Sequence, residues 1–398
     1  MAAISAARAG AKVVILEHKE KTGKKILSTG NGKCNYTNIK QDITCYRGEH
    51  PDFVIPVFKQ FGFAETVAFF EEIGIIPKVK NGYYYPASEQ ASAVLEVLRL
   101  EANYLRIKEV CECNINAVKP VKNGFLLHTS VGDFAGNSVI FATGLLAAPK
   151  SGSDGTIFPY IEKFGHHFID VVPALVPLQG KQAFFKQIAG IRAEIQADLY
   201  VENTKISSEN GELQLTDYGV SGIPIFQLSR YATKALKTGK KVHMMLDFLP
   251  HISLEETMVL FERRLHKNEQ KKTICECFVG LFNKKLAEVL IKEAGISLGD
   301  SPKKLSDEQI ERLAEISKGL HVDITGSKSF EQAQVCAGGV DTEEICADTM
   351  ESKLVPGVYF AGELVDIDGM CGGYNLQWAW SSGYVAGLHA ARRSTEMR

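Results

Sequence analysis

Met1-Ala-Ala-Ile-Ser-Ala-Ala-Arg-Ala-Gly10 reads as the end of a helix built from small residues and stopped by a glycine. Val13-Val14-Ile15-Leu16 follows as an unbroken apolar run and closes on an acid, Glu17. A small-residue helix, a glycine stop and a buried parallel strand ending in a carboxylate form the second half of a dinucleotide-binding βαβ unit. In such a unit the acid hydrogen-bonds the adenosine ribose hydroxyls. The unit's first strand and its Gly-x-Gly-x-x-Gly turn are expected just before Met1. A chain lacking them is expected to bind its dinucleotide weakly.

The far end of the chain matches this opening. Val355-Pro-Gly-Val-Tyr-Phe-Ala-Gly-Glu363 is an apolar strand running into Gly362-Glu363. Asp366, Gly369 and the pair Gly372-Gly373 come next, then Tyr374-Asn-Leu-Gln-Trp-Ala-Trp-Ser-Ser-Gly383. A strand, an acidic turn and a Gly-Gly helix start suit a flavin dinucleotide. The acid can hold the ribityl hydroxyls, and the free N–H groups and positive dipole of the helix start can face the electron-rich N1–C2=O edge of the ring.

With these residues in hand, the sequence resembles the BaiN/RdsA-type bacterial flavoproteins, a branch of the two-dinucleotide-binding-domain FAD proteins. The likeness covers nearly the whole chain. It includes Ser28-Thr-Gly-Asn-Gly-Lys-Cys-Asn-Tyr-Thr-Asn38, where Lys33 replaces the arginine usual in the family, and Pro173-Ala-Leu-Val-Pro177. Gly219-Val-Ser-Gly-Ile-Pro224, Ala337-Gly-Gly-Val340 and Thr349-Met-Glu-Ser-Lys353 belong to it too. The resemblance implies an α/β fold: a Rossmann-like FAD domain, discontinuous in sequence, with a β-barrel-like insert carrying a helical subdomain.

Composition agrees. At 398 residues two or three domains are expected. The 45 basic and 47 acidic residues leave a net charge of −2, which argues against nucleic acid or an anionic membrane as partner. Nine scattered cysteines read as reduced thiols in a cytoplasm. No apolar run reaches the roughly 18–20 residues of a membrane helix. The expectation is a soluble cytoplasmic protein.

The expected domains are 1–170 with 335–398 for FAD, 171–250 with 319–334 for the β-rich insert, and 251–318 for the helices. Helices are expected over Phe53–Gly74, Ala91–Tyr104, Leu254–Leu265, Thr273–Leu281 and Leu305–Ser317. Strands are expected over Val110–Val118, Gly124–Thr129, Ser138–Ala142, Ile195–Glu202, Gly211–Thr216 and Lys241–Phe248. The pairs Lys271-Lys272 and Lys284-Lys285 read as solvated helix faces.

Glu17 is the expected ribose acid. Gly30, Asn31 and Gly32 permit a tight turn with backbone N–H groups aimed at pyrophosphate or flavin. In Ala142-Thr143-Gly144 a small residue lets the backbone approach the dinucleotide. Asp366, Gly373, Asn375 and Leu376 carry the flavin end, with Glu363 closing the strand. Lys25, Cys34, Asn35 and Val118 complete the expected cofactor contacts.

No metal site is expected, since His243, His251 and His321 have no ligand spacing. Cys34 lacks the resolving thiol of a Cys-x-x-Cys relay and is expected beside the flavin but chemically silent. Cys111/Cys113 fall in an expected strand. Cys275/Cys277 fall on a helix, where residues two apart diverge by roughly 200°. Cys371, next to Gly372, is given no role. His166-His167 suit either a proton-transfer pair or a histidine near the last carbonyls of a helix. Tyr83-Tyr-Tyr85 suits a flat apolar pocket or plain core. Leu145-Leu-Ala-Ala-Pro149 is more apolar than in relatives, and is expected to narrow the cofactor site or tune the substrate pocket.

The resemblance implies a reductase of 3-oxo-Δ4 and Δ4,6 bile-acid intermediates. An NAD(P)H-reduced FAD would deliver hydride to the β-carbon of the enone, and a donor to the carbonyl oxygen would stabilise the enolate. Another branch of the family implies an amine oxidase of the aminoacetone type, which uses O₂. No catalytic residue is named by the sequence.

Overall fold

The computed structural model describes residues 1–267 and 272–396, and Lys271 lies outside them. The chain divides into two compact units, Met1–Pro173 with Phe330–Arg398, and Ala174–Ser329.

The first unit opens on the helix Ala2–Arg8. Its end is closed by Ala11 N–H donating to Ala6 O (3.0 Å) and Gly10 N–H donating to Ala7 O (2.9 Å). Gly10 sits at φ +89°, the left-handed position this closure requires. The strand Val14–Leu16 then pairs in parallel with Lys108–Val110, and Val139–Phe141 pairs in parallel with Val358–Phe360. Val14–Leu16 is less buried than an interior parallel strand, with Val14 at 39% exposure, because among the described residues it is paired along one edge only.

Three expectations change here. Val110–Val118 is not one strand: it is Lys108–Val110 and Ile115–Val121, parted by a bend at Glu112 with φ +54°. Glu112 N–H donates to Lys19 O and Cys113 N–H to Glu17 O, which bind the bend to the end of the first strand. Cys111 and Cys113 therefore lie on a bend and not on a strand face. Phe53–Gly74 is two helices, Val54–Gln60 and Phe63–Glu72, bent by 47°. The break falls at Gly62, extended at φ −101° and capped by Glu65, whose Oε2 accepts from Gly62 N–H. The strand Gly132–Gly136 was not foreseen, since only Phe134 in it is even half-buried.

Ala91–Tyr104 is a helix as expected. Tyr36, Phe61, Phe69, Phe70, Leu98 and Trp380 pack into one core with Ile4. The C-terminal helix Tyr374–Glu396 lies against the first helix, where Ser5 Oγ donates to Tyr384 O (2.8 Å). No single helix among the described residues is long and apolar enough to cross a membrane.

The second unit is a closed barrel ordered Leu178–Gly180, Gly219–Gly222, Thr204–Leu215, Arg192–Val201, Val242–Asp247 and Leu320–Ser327. Alternation at period two puts Ile195, Ala197, Leu199, Met244, Leu246 and Val322 inside. A helix that sequence reading missed, Ile223–Lys237, follows Gly222 and fills the barrel with Ile225, Leu228 and Ala232. The helices Leu254–His266, Ile274–Cys277, Lys284–Glu293 and Asp307–Lys318 complete the unit. The second of these is shorter than the expected Thr273–Leu281, which turns at Phe278–Phe282. Phe261, Leu290 and Leu313 share one apolar core with the barrel interior. Lys272, Lys284 and Lys285 are exposed.

Candidate functional site

All candidate residues lie in the first unit. The buried strand Val358–Phe360 delivers the chain to Gly362-Glu363, with Gly362 at φ +69°. There Glu363 Oε2 pairs with Lys25 Nζ at 2.5 Å, and Oε1 accepts from Cys336 N–H at 2.7 Å. Lys25 Nζ also donates to Ala147 O (3.3 Å). A Cβ on Gly144 would lie 2.6 Å from Ser153 Oγ and 3.5 Å from Glu363 Oε2, so Lys25, Gly144 and Glu363 converge. Ala142 and Thr143, just before, are exposed. Burial, and then Glu363, push the Cys336 thiol up to about 12.

A second group forms where two glycine turns meet. Gly30, Asn31 and Gly32 take φ of +54°, +53° and +83°, and Cys34 takes +55°. Cys34 N–H donates to Thr29 O to close the turn. Gly372 and Gly373 sit at φ +128° and +93° ahead of the C-terminal helix. Asn38 Nδ2 donates to Gly372 O (3.1 Å), Thr37 Oγ1 to Gln377 Oε1 (2.5 Å) and Trp380 Nε1 to Tyr36 O (2.9 Å), which locks the turns together. A Cβ on Gly373 would meet Asn35 Oδ1 and Thr37 O, each at 2.9 Å. Asn35 Oδ1 is buried and has no hydrogen-bond partner among the described residues. Burial pushes the Cys34 thiol up to about 11, so it is protonated and a poor nucleophile at neutral pH.

Asn375 acts on the chain itself. Its Oδ1 accepts from Gly369 N–H, and its Nδ2 donates to Gly369 O and Met370 O, shaping the turn ahead of Gly372. Leu376 packs against the Tyr36–Trp380 core. Asp366 is fully buried and accepts from Glu49 N–H (2.8 Å). Val118 stands in the antiparallel sheet opposite Leu127, outside both groups.

Glu17 ends the first strand. Its Oε1 accepts from Lys19 N–H (2.9 Å) and lies 3.6 Å from where a Cβ on Gly152 would sit. His18 Nε2 is 3.2 Å from Asp154 Oδ2. Sequence reading did not single out His18, Gly152 or Asp154. The signal was Ser151-Gly-Ser-Asp-Gly155, a glycine-rich loop that reaches Glu17 through Gly152 and Gly144 through Ser153.

Other expectations resolve as follows. Tyr84 turns to Tyr36 (6.2 Å) and Phe63 (5.1 Å), whereas the alternating Tyr83 and Tyr85 face the glycine turns. Leu145 and Ala147 are fully buried, so two residues of the apolar turn feed the core, while the Ala147 carbonyl accepts from Lys25. His166 and His167 do not cap a helix. His166 is buried between Glu344 Oε2 (3.0 Å) and Ser352 Oγ (2.8 Å), and His167 binds Glu344 Oε1. His243 stacks on Tyr200 and His321, and no metal-holding cluster exists among the described residues.

A carboxylate at each strand end, a half-buried lysine–glutamate pair, the close approaches at Gly30 and Gly373, and a buried amide oxygen without a partner among the described residues fit the polar edge and phosphates of a flavin dinucleotide.

Comparison with known proteins agrees with this. The family model described as HI0933-like protein Rossmann domain matches residues 1–389. A 3-dehydro-bile acid delta(4,6)-reductase from Clostridium scindens is 42% identical over 395 residues, 99% of this chain and 96% of that protein. A ribosomal RNA dihydrouridine synthase from Haemophilus influenzae is 28% identical over 397 residues, 97% and 94% of the two chains. Among solved structures, a quinol-fumarate reductase with menaquinol aligns over 99% of this chain and 70% of its own, with a TM-score of 0.50 at 14% identity, a likeness of fold. The chain belongs to the HI0933-like Rossmann family of BaiN/RdsA type, as an FAD-binding oxidoreductase whose α/β Rossmann-type domain is interrupted by a β-barrel carrying helices.

Proposed function

We propose that the protein reduces a carbon–carbon double bond conjugated to a carbonyl, in a 3-oxo-Δ4 or Δ4,6 steroid of the bile-acid type, with NAD(P)H as electron source. The observation that carries this reading is the 42% identity, spread over 99% of the chain, with a relative named for that reduction. FAD supplies hydride chemistry when bound. The chain's own residues hold and orient it. Glu17 holds the ribose hydroxyls. Lys25 and Glu363 fix a charged, hydrogen-bonding edge. Gly30 and Gly373 let backbone approach where a side chain would block it, and Asn35 Oδ1 accepts from a cofactor N–H or O–H group. A protein donor aimed at the substrate carbonyl would stabilise the enolate as hydride adds.

The relative named as a dihydrouridine synthase suggests a second reading with the same chemistry, because the uracil double bond is also conjugated to a carbonyl. The net charge of −2 favours a small molecule over a polyanion.

The test is a pair of anaerobic half-reactions. NADH and NADPH should each be tried for bleaching of the flavin, and the reduced protein then mixed with a 3-oxo-Δ4 steroid, a uridine-containing RNA, or O₂. Reoxidation by the steroid supports the proposal. Reoxidation by RNA alone, or bleaching by a primary amine in place of nicotinamide, overturns it.

A further inference from the structure

We propose that Tyr83 is a catalytic residue, its phenol hydroxyl donating the proton that the substrate's α-carbon takes as its β-carbon receives hydride. This rests on the enone-reductase reading above. Tyr83 lies in the strand Tyr83–Pro86, held on one side by Thr37–Asn38 and on the other by Pro77–Lys80. The register places Asn38 directly opposite Tyr83, so the two side chains share a face of the sheet. That face is the one locked to the cofactor turns, since Asn38 Nδ2 donates to Gly372 O.

The Tyr83 ring itself closes on the same turn. A Cβ on Gly372 would lie 2.6 Å from Tyr83 Cε1, so the ring occupies the space that the glycine leaves open. Two residues along, Tyr85 projects from the same face and its ring comes within 3.9 Å of a Cβ on Gly30. The two phenols thus stand beside the two glycine turns assigned to the flavin.

Their hydroxyls have no hydrogen-bond partner among the described residues, although both rings are half-buried. Tyr46 differs, its hydroxyl donating to Gln41 Oε1 (2.7 Å), and Tyr84 differs in facing, since alternation turns it away from the turns into the aromatic core. A buried tyrosine hydroxyl ordinarily finds a partner. A half-buried one left without a partner beside the cofactor turns has its donor available for substrate. Of the two, Tyr83 is the one packed against the turn that starts the C-terminal helix.

The step balances. Reduced nicotinamide provides two electrons and a hydrogen as hydride, which forms the new C–H bond at the β-carbon. The α-carbon forms its C–H bond with the Tyr83 proton, the double bond becomes single, and the carbonyl is restored. The Tyr83 phenolate then takes a proton from solvent, which the half-exposed ring permits. General-acid contributions of this kind are about 10²- to 10⁴-fold.

The test uses the full chain loaded with FAD, as wild type and Tyr83→Phe, with Tyr85→Phe beside them. Tyr83→Phe should keep the wild-type flavin content, melting temperature and rate of bleaching by reduced nicotinamide. Reoxidation by a 3-oxo-Δ4 steroid should slow by about 100-fold or more. A readout independent of rate is the product formed in D₂O: wild type should place deuterium on one face of the α-carbon, and Tyr83→Phe should lose that facial selectivity. Wild-type reoxidation rates in Tyr83→Phe would overturn the assignment to Tyr83 and leave the enone reading standing. A slowed Tyr85→Phe with Tyr83→Phe unaffected would overturn it too, in favour of the neighbour. If wild type is reoxidised by no enone, the functional reading itself falls, and the assignment falls with it.

Discussion

Gly373 stands closer to neighbouring backbone than Gly30, Gly32 or Gly144 does. At φ +93° an L side chain is strained, and any Cβ would press on Asn35 Oδ1 and on the Thr37 carbonyl at 2.9 Å. Gly373→Ala should therefore shift the Asn35–Thr37 backbone and lower the flavin-to-protein absorbance ratio several-fold, while a Gly299→Ala control, with open space around it and no positive φ, keeps the ratio. The role proposed for Glu17 rests on charge and not on shape. Glu17→Ala should weaken FAD by about 1–3 kcal/mol, the usual loss for charge-assisted hydrogen bonds; unchanged affinity in a fluorescence titration would show that another group holds the ribose. Both residues were legible in the sequence because each stands at a strand end or helix start whose chemistry is local. His18, Gly152 and Asp154 were not, since their meeting with Glu17 depends on a loop more than 130 residues downstream in sequence. The Asn375 side chain is a similar case: its amide hydrogen-bonds Gly369 and Met370, a geometry that no spacing reveals.

Elements with strong periodicity read well, and those whose ends are set by tertiary contacts did not. Ala91–Tyr104 and the barrel strands follow their apolar patterns. Ile223–Lys237 was missed because Gly219–Pro224 drew attention as a motif, although Pro224 in the first turn is a helix-start signal. The first helix shows what its small residues are for. Gly387 in the C-terminal helix comes so near that a Cβ there would lie 2.2 Å from Ala2 O and 2.9 Å from Ser5 Cβ. Two helices that close tolerate no side chain between their backbones. Gly387→Val should push them apart at a cost of about 1–3 kcal/mol, the range for overpacking a close contact. Urea unfolding followed by circular dichroism measures it. A midpoint equal to wild type would mean the helices separate freely.

At the scale of the whole chain, the FAD-binding domain must be rebuilt from two segments that the barrel insert separates, and one buried polar network joins them. His166 comes from the first segment, and Glu344 and Ser352 from the second. Burial holds the His166 imidazole below its ordinary 6.5, against the opposing pull of Glu344. The unfolded chain then takes up the proton more readily than the folded one, so this contribution is full above about pH 6.5 and shrinks as pH falls below it. Glu344 reinforces the trend at lower pH. Burial would push its carboxyl up, but hydrogen bonds from His167 and His166 outweigh that and hold it below 4.5. Its contribution is present above pH 4.5 and lost as pH drops through the folded value. His167 runs the other way, raised by its hydrogen bond to Glu344, so its share is lost as pH rises past 6.5; because that ring is exposed, solvent screens it. The melting temperature should therefore fall in two stages on acidification, one beginning near pH 6.5 and a steeper one below 4.5. Glu344→Gln should flatten the second stage, and it should lower stability at pH 7 because it leaves the His166 and His167 rings without their carboxylate. A pair of scans from pH 8 to 4, wild type and variant, decides the matter. A variant that melts in parallel with wild type throughout would show that the His166–Glu344 network adds nothing to what already holds the two segments together.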